Sequence, residues 1–447
     1  MGRLFGTDGV RGVANADLTC ETAYRLGQAG ARVLASSVHR PTILVGRDTR
    51  ISGEMLEAAL VAGICSQGAR PVLLGVLPTP GIAYLTRLYD ADAGVVISAS
   101  HNSVECNGIK FFDKTGCKLP DEVEDRIEAL VNGDPAGNLP TGIAVGRPVR
   151  QINAQRQYIE FLKGTASCRL DGLHVVLDCA NGAASQIAPR ALEALGATVR
   201  AFYHEPDGTN INENCGSTHP VRLQELVCEL GADAGLAFDG DADRLIAVDG
   251  RGQLVDGDKI MAICAAHLHR LGRLRRDTLV TTVMSNMGLE IALREKGISC
   301  VRTKVGDRYV LEKMLAEGYS LGGEQSGHII FLEHNTTGDG IMTAIQLLCI
   351  MAEAKQPLAQ LAQIMRALPQ ATVNARLPEN KREAFAQDAE IAARIAALAD
   401  KYSGKGRTLV RLSGTEPLAR VMIEGPEQRE IEADAYALAR FIQERMA

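Results

Sequence analysis

Two short stretches of this chain carry side chains whose types and spacing could do chemistry together. Residues 94–102 read Gly-Val-Val-Ile-Ser-Ala-Ser-His-Asn, an apolar β-prone run that predicts a buried strand and then breaks into small polar residues. Open α/β sheets place their chemistry at such carboxyl ends of strands. The tetrapeptide Ala91-Asp92-Ala93-Gly94 recurs as Ala232-Asp233-Ala234-Gly235, followed by Leu236-Ala237-Phe238 and then by Asp239-Gly240-Asp241-Ala242-Asp243-Arg244. Aligned on the shared tetrapeptide, Ser98, Ser100 and Asn102 match Asp239, Asp241 and Asp243. One copy offers hydroxyls and the other carboxylates, which reads as a nucleophile loop and a metal loop on two related units.

Three carboxylates at alternate positions can converge on one side of a turning loop. Left to themselves they repel, and at least one pKa rises. A hard divalent cation removes the conflict, and an all-oxygen donor set suits magnesium. The other reading is a solvated acidic turn with Arg244 as counter-charge. A calcium-binding EF-hand loop is excluded, because counting from Asp239 the sixth position is Arg244, not Gly, and the twelfth is Gly250, not Glu. Ser100 lacks the flanking glycines of a hydrolase nucleophile elbow, and His101 is adjacent in sequence, hence not obviously placed as its base. A serine that carries phosphate beside magnesium fits better, since the phosphoryl group adds an oxygen ligand and the metal neutralises charge as it transfers. Lys110 is either a cation for that phosphate or a surface lysine.

Three further segments invite the same question. Residues 5–12, Phe-Gly-Thr-Asp-Gly-Val-Arg-Gly, set Arg11 among glycines, as an ordinary turn or as an arginine aimed at an anion. Glu324, Gln325, Ser326 and His328 lie in a Gly-rich loop whose carboxylate, amide and hydroxyl groups suit the vicinal hydroxyls of a sugar. Ser413, Gly414 and Thr415, flanked by Arg411 and Arg420, form either an oxyanion cradle or a β-turn with incidental arginines. Neither a P-loop nor a G-x-G-x-x-G stretch occurs, so nucleotide binding of those kinds has no support.

The elements that must position these loops repeat. Strand, helix, strand is expected over 43–46, 54–66 and 72–74, again over 174–178, 188–195 and 199–203, and again over 279–283, 289–296 and 298–302. Each copy leads to one loop. The fold class is therefore α/β: three similar mixed α/β domains (1–150, 151–253 and 254–368) plus a smaller C-terminal α+β domain (369–447) around one central cleft. Residues 132–148 and 368–375 read as linkers, and residues 383–402 as one long Ala-rich helix. The 447 residues are enough for large cores without staples. Eleven scattered cysteines with no Cys-x-x-Cys pair fit a reducing cytoplasm rather than a disulfide framework or zinc site. A net charge of −6 with no long basic run argues against nucleic acid as a partner, and no apolar run predicts a membrane span. The oligomeric state is not legible, a homodimer being one option.

At these motifs the chain resembles the α-D-phosphohexomutases over essentially its full length. FGTDGVRG (5–12), ISASHN (97–102) with NGIKFF (107–112), DGDADR (239–244), GGEQSGH (322–328) and RLSGTEP (411–417) match the family's motifs in the family's order. Within the family, the opening motif, Gln325 and residues 335–340 are most similar to the bacterial members acting on glucosamine phosphates. The resemblance implies four domains and interconversion of glucosamine 6-phosphate and glucosamine 1-phosphate, supplying UDP-N-acetylglucosamine for cell-wall precursors. It implies that Ser100 is the phosphoserine and that Asp239, Asp241 and Asp243 bind magnesium. It implies that Glu324 and Ser326 contact the sugar, that Arg411, Ser413, Gly414 and Thr415 hold the non-reacting phosphate, and that Arg11, His101 and Lys110 line the phosphoserine. Two departures are visible: Ser103 stands where the family commonly has Pro, and Cys106 where an acidic residue is common. A mutase for glucose or mannose phosphates and a sugar-phosphate-binding protein without turnover are the other readings.

Overall fold

The computed structural model describes residues 4–6, 8–34, 40–133, 139–412 and 417–446, apart from the side chain of Glu379. The chain packs as two units, Met1–Met284 with Gly297–Ile364, and Ser285–Lys296 with Met365–Ala447.

The first unit holds three sheets built to one plan. In the first, Thr42–Arg47 lies between Arg70–Val76 and Ala93–Ile97, all parallel, and Cys106–Asp113 returns antiparallel beside Ala93–Ile97. In the second, His174–Asp178 lies between Thr198–Phe202 and Ala234–Phe238, and Leu245–Asp249 returns antiparallel. In the third, Thr278–Thr282 lies between Ser299–Thr303 and Leu321–Gly323, and Ile329–Phe331 returns antiparallel. Short edge strands extend the first two: Val10–Val13 and Val149–Arg150 on the first, Leu254–Val255 on the second. The serine, aspartate and glutamate loops occupy the same place in each plan, the turn from the third parallel strand into the antiparallel fourth.

The repeated tetrapeptide has a structural job. The Asp92 carboxylate accepts the amide of Thr42 at 2.8 Å, and that of Asp233 accepts the amide of His174 at 2.8 Å. Each aspartate thus pins the start of the third strand to the start of the first. The glycine two residues later makes room for the preceding helix. A Cβ at Gly235 would lie 2.6 Å from Cγ2 of Val227, on the helix Val221–Leu230. At Gly94 it would meet Thr86 on Thr79–Leu88, and at Gly322 Met314 on Asp307–Glu317.

The second unit carries a three-stranded antiparallel sheet, Gln370–Arg376, Leu418–Glu424 and Arg407–Leu412, covered by the helix Gln428–Met446. Two expectations are corrected here. Residues 370–376 are a strand and not a linker, because their alternation buries Ala371 and Ala375 against the helix while Gln370, Thr372 and Arg376 face out. The Ala-rich helix is two, Arg382–Gln387 and Ala389–Tyr402. Asp388 leaves helical geometry and caps the second by accepting the amides of Glu390 and Ile391.

Gly235→Val is expected to force the helix Val221–Leu230 off its sheet and cost about 1–3 kcal/mol through overpacking. Thermal unfolding should show a lowered midpoint.

Candidate active site

Ser100, three residues past the strand Ala93–Ile97, lies in the left-handed region with φ +54°, a conformation that costs a non-glycine residue energy and must be held by its surroundings. The restraint comes from one buried guanidinium. Arg50 is fully buried and uses every side-chain N–H it has. Nε donates to Asp48 at 2.9 Å, one terminal nitrogen to the carbonyls of Ser100 (3.0 Å) and Asn102 (2.8 Å), and the other to those of Cys106 (3.0 Å) and Ser103. Asp48 in turn accepts the hydroxyl of Ser98 at 2.6 Å, and that hydroxyl accepts the amide of Ser100 at 3.0 Å. Burial pushes the Asp48 carboxyl up against the pull of Arg50. Asn212, from the second domain, donates to the Ser100 and Asn102 carbonyls at 2.9 Å each.

Held this way, the Ser100 hydroxyl donates to Oδ2 of Asp239 at 2.6 Å. The backbone turn also brings His101 back, with Nδ1 3.3 Å from Oγ, although sequence adjacency suggested otherwise. Burial and the nearby Arg244 and Arg11 push the His101 pKa down to about 4, so the ring is neutral at physiological pH.

The solvated-turn reading of the aspartates does not survive. Asp239 and Asp241 are 1 % exposed and Asp243 is 4 %. Their ligand oxygens lie within 4.8 Å of one another. Burial, and then the charges of Asp243 and Asp241, raise the Asp239 pKa well above the carboxylate range. Burial opposes ionisation of Asp241 too, but Lys110 and the Thr79 hydroxyl hold its carboxyl below the usual range. Oδ2 of Asp241 accepts from Thr79 Oγ1 at 2.6 Å and from Lys110 Nζ at 3.0 Å. Two buried oxygens, Oδ1 of Asp241 and Oδ1 of Asp243, have no hydrogen-bond partner among the described residues. Buried anionic oxygens left bare in a cluster of acids are the donor set of a metal ion, and the three aspartates fit one.

Lys110 is buried, so the surface reading of that residue fails as well. Its ammonium bridges Asp241 and Asp8, the latter at 2.9 Å, and Asp8 also pairs with Arg11. Arg11 sits on the edge strand Val10–Val13, which lies antiparallel to the strand that carries Lys110.

The third loop joins the second directly: the Leu245 amide donates to the Gly327 carbonyl at 3.0 Å. Arg244, Glu324, Gln325 and Ser326 line a cavity of about 430 Å³ with Thr282, Met284 and Val305. Glu324 accepts the Gly306 amide at 3.1 Å, and Gln325 donates to Asp256 at 3.3 Å. His328 is not among the lining residues. It is buried, with Nδ1 3.5 Å from Oδ2 of Asp243 and Nε2 3.3 Å from Oδ2 of Asp307. The two carboxylates pull its pKa up to about 9 against burial, yet the Gly338 amide donates to Nε2 at 2.9 Å. Nε2 therefore lies between the Gly338 amide and the Asp307 carboxylate, and Nδ1 faces Asp243.

In the second unit, Arg411 and Arg420 are register partners on adjacent antiparallel strands. Ser413, Gly414 and Thr415 lie outside the described residues. Sequence reasoning missed Asp8, Asp48, Arg50, Thr79 and Asn212. Asp48 and Arg50 follow the carboxyl end of Thr42–Arg47, and Thr79 opens the helix behind Arg70–Val76. The signal was their location at strand ends, the place already used to single out Ser100.

Comparison with known proteins bears on this arrangement. Models of phosphoglucomutase/phosphomannomutase α/β/α domains I, II and III match residues 2–136, 156–252 and 256–368, and the C-terminal domain model matches 373–440. Curated phosphoglucosamine mutases from Clostridium acetobutylicum and a Thermoanaerobacter species are 56 % and 57 % identical over 446 residues, 100 % of each chain. The chain belongs to the phosphohexomutase family. Among solved structures, a family protein from Burkholderia thailandensis superposes with a TM-score of 0.81 at 26 % identity, covering 99 % of this chain and 97 % of that one. The Aspergillus fumigatus N-acetylphosphoglucosamine mutase, solved with GlcNAc-6P and magnesium, shares the fold with a TM-score of 0.71 at 17 % identity, covering 99 % and 96 %.

In this phosphohexomutase, Arg50→Lys keeps a charge for Asp48 but offers three donors where five are used. The expected outcome is a lower thermal midpoint, read by calorimetry.

Proposed function

We propose that this phosphohexomutase interconverts glucosamine 6-phosphate and glucosamine 1-phosphate through phosphate carried on Ser100. The Ser100 hydroxyl, seated 2.6 Å from a buried carboxylate of a three-aspartate cluster, is the observation that carries the reading. The relatives at 56–57 % identity over the full chain, curated as phosphoglucosamine mutases, supply the sugar. The reaction is an isomerisation by intramolecular phosphotransfer, at the entry to UDP-N-acetylglucosamine and cell-wall precursors. In the first half-reaction the bond from Ser100 Oγ to phosphorus breaks and one from phosphorus to a sugar hydroxyl oxygen forms. The proton of that hydroxyl ends on Oγ, so the step balances without a co-reactant. The doubly phosphorylated sugar then turns and returns its other phosphate to Ser100.

Asp239, Asp241 and Asp243 would hold magnesium together with an oxygen on Ser100, and the ion supplies Lewis-acid neutralisation of the transferring group. Arg11, His101 and Lys110 surround the phosphoserine. Glu324, Gln325, Ser326 and His328 belong to the sugar side, His328 by fixing Asp243. Arg411, Ser413, Gly414, Thr415 and Arg420 hold the phosphate that is not reacting. Domain limits at 150/151, 253/254 and 368/369 accompany this reading, as do a homodimer, a cytoplasmic setting and no nucleic-acid partner. Its support is a net charge of −6 and, among the described residues, no helix long and apolar enough to cross a membrane.

Ser100→Ala should lose turnover by several orders of magnitude, because it removes the hydroxyl held 2.6 Å from Asp239. Intact mass should show one phosphate on the parent protein and none on the variant. Phosphate mapped elsewhere, or an active variant, overturns the reading. Removal of divalent ions with a chelator should abolish turnover, and added magnesium should restore it. Asp241→Asn should weaken magnesium binding measured by calorimetry.

A further inference from the structure

Lys118 is used by nothing in the chemistry above, yet it is half-buried between two carboxylates from distant parts of the chain. Its ammonium lies 2.6 Å from Oδ1 of Asp8 and 2.6 Å from Oδ2 of Asp307. Asp8 is the residue that holds Lys110 and Arg11 on the phosphoserine side. Asp307 opens the helix Asp307–Glu317, directly after Gly306, whose amide holds the Glu324 carboxylate on the sugar side. One ammonium therefore joins the group beside the transferring phosphate to the group that faces the sugar.

Neighbouring contacts support the same joint. Arg308 pairs with Asp121 at 2.7 Å, at the start of the helix Asp121–Asn132 that follows Lys118. The Thr336 hydroxyl donates to the Gly116 carbonyl at 2.6 Å. Without the ammonium, Asp8, still paired with Lys110 and Arg11, and Asp307, still 3.3 Å from His328, would lose the cation between them and repel in a setting largely out of water. The relaxation open to them is separation, and Val305 and Gly306 would move with Asp307. Val305 lines the cavity, so the sugar's seat would shift relative to Ser100. Phosphoryl transfer tolerates such a shift badly, because most of its acceleration comes from alignment of the reacting oxygens.

We propose that Lys118 and Asp307 are a positioning pair that sets the distance between the sugar seat and Ser100, acting through Asp8 on one side and Gly306–Glu324 on the other. The proposal rests on the phosphoserine reading. It separates from simple structural support because it confines the defect to transfer. Metal binding and the loading of Ser100 stay intact.

The experiment uses full-length protein phosphorylated on Ser100 and mixed with saturating glucosamine 6-phosphate in a single turnover. Variants are Asp307→Asn, Lys118→Met and Lys118→Arg. For Asp307→Asn and Lys118→Met, transfer should slow at least ten-fold, with the phosphate on Ser100 and magnesium affinity within two-fold of the parent. Loss of phosphoserine to water should rise relative to transfer. Lys118→Arg, which can still bridge two carboxylates, should recover most of the transfer rate. Parent-like transfer in Asp307→Asn and Lys118→Met overturns the pair's role. So does an equal loss of magnesium binding and of Ser100 loading, or no recovery in Lys118→Arg. Should Lys118→Met not fold, the near-isosteric Asp307→Asn, which leaves Lys118 paired with Asp8, decides alone. Failure of the parent protein itself to pass phosphate to the sugar would instead refute the phosphoserine reading.

Discussion

Three carboxylates out of water, facing one serine hydroxyl, are a local excess of negative charge that the fold has to tolerate before it can use it. At a few ångströms, like charges in a protein interior repel by several kcal/mol. The surrounding architecture alternates sign outward from that point. Lys110 and Arg244 lie against the aspartates, Asp8 lies behind Lys110, and Lys118 and Asp307 lie behind Asp8. The alternation reduces the conflict without removing it, since the Asp239 pKa remains raised and two carboxylate oxygens have no hydrogen-bond partner among the described residues. That residual excess is what fits the cluster to a metal ion.

The three-fold plan explains how such a cluster can be assembled from residues more than two hundred positions apart. Each sheet repeats the same parallel trio and antiparallel return, so each presents one loop at an equivalent corner. An identical scaffold fixes where the loop emerges and leaves its chemistry free. One corner bears hydroxyls, one carboxylates, and one the carboxylate, amide and hydroxyl of Glu324, Gln325 and Ser326. The aspartate and glycine of the repeated tetrapeptide belong to the scaffold, which is why they recur while the residues after them diverge.

Much of this was legible in the order of residues. The βαβ repeats were visible because periodicity and terminal glycines are local properties, and the loops were visible because polar residues at the ends of apolar runs are conspicuous. What stayed hidden was long in sequence separation. Nothing near Arg50 indicates that its partners are carbonyls about fifty residues away, and nothing near Thr79 points to Asp241. The strand over 370–376 was taken for a linker because its small alternating alanines carry little apolar signal; they are buried by a helix at the far end of the chain. The break at Asp388 was masked by the alanines on either side of it, since composition averages over a single capping residue.

Arg50 grips the serine loop by main-chain oxygen, four carbonyls in all, and spends none of these hydrogen bonds on a side chain of that loop. Every amino acid brings the same carbonyl. The loop's shape is therefore insulated from the identity of the residues at its rim, and substitution there is close to neutral so long as the backbone path is kept. Ser103 and Cys106, where this chain parts from its family's usual Pro and acidic residue, sit at two of the gripped carbonyls. Their identities, three and six residues after Ser100, are what a clamp blind to side chains permits.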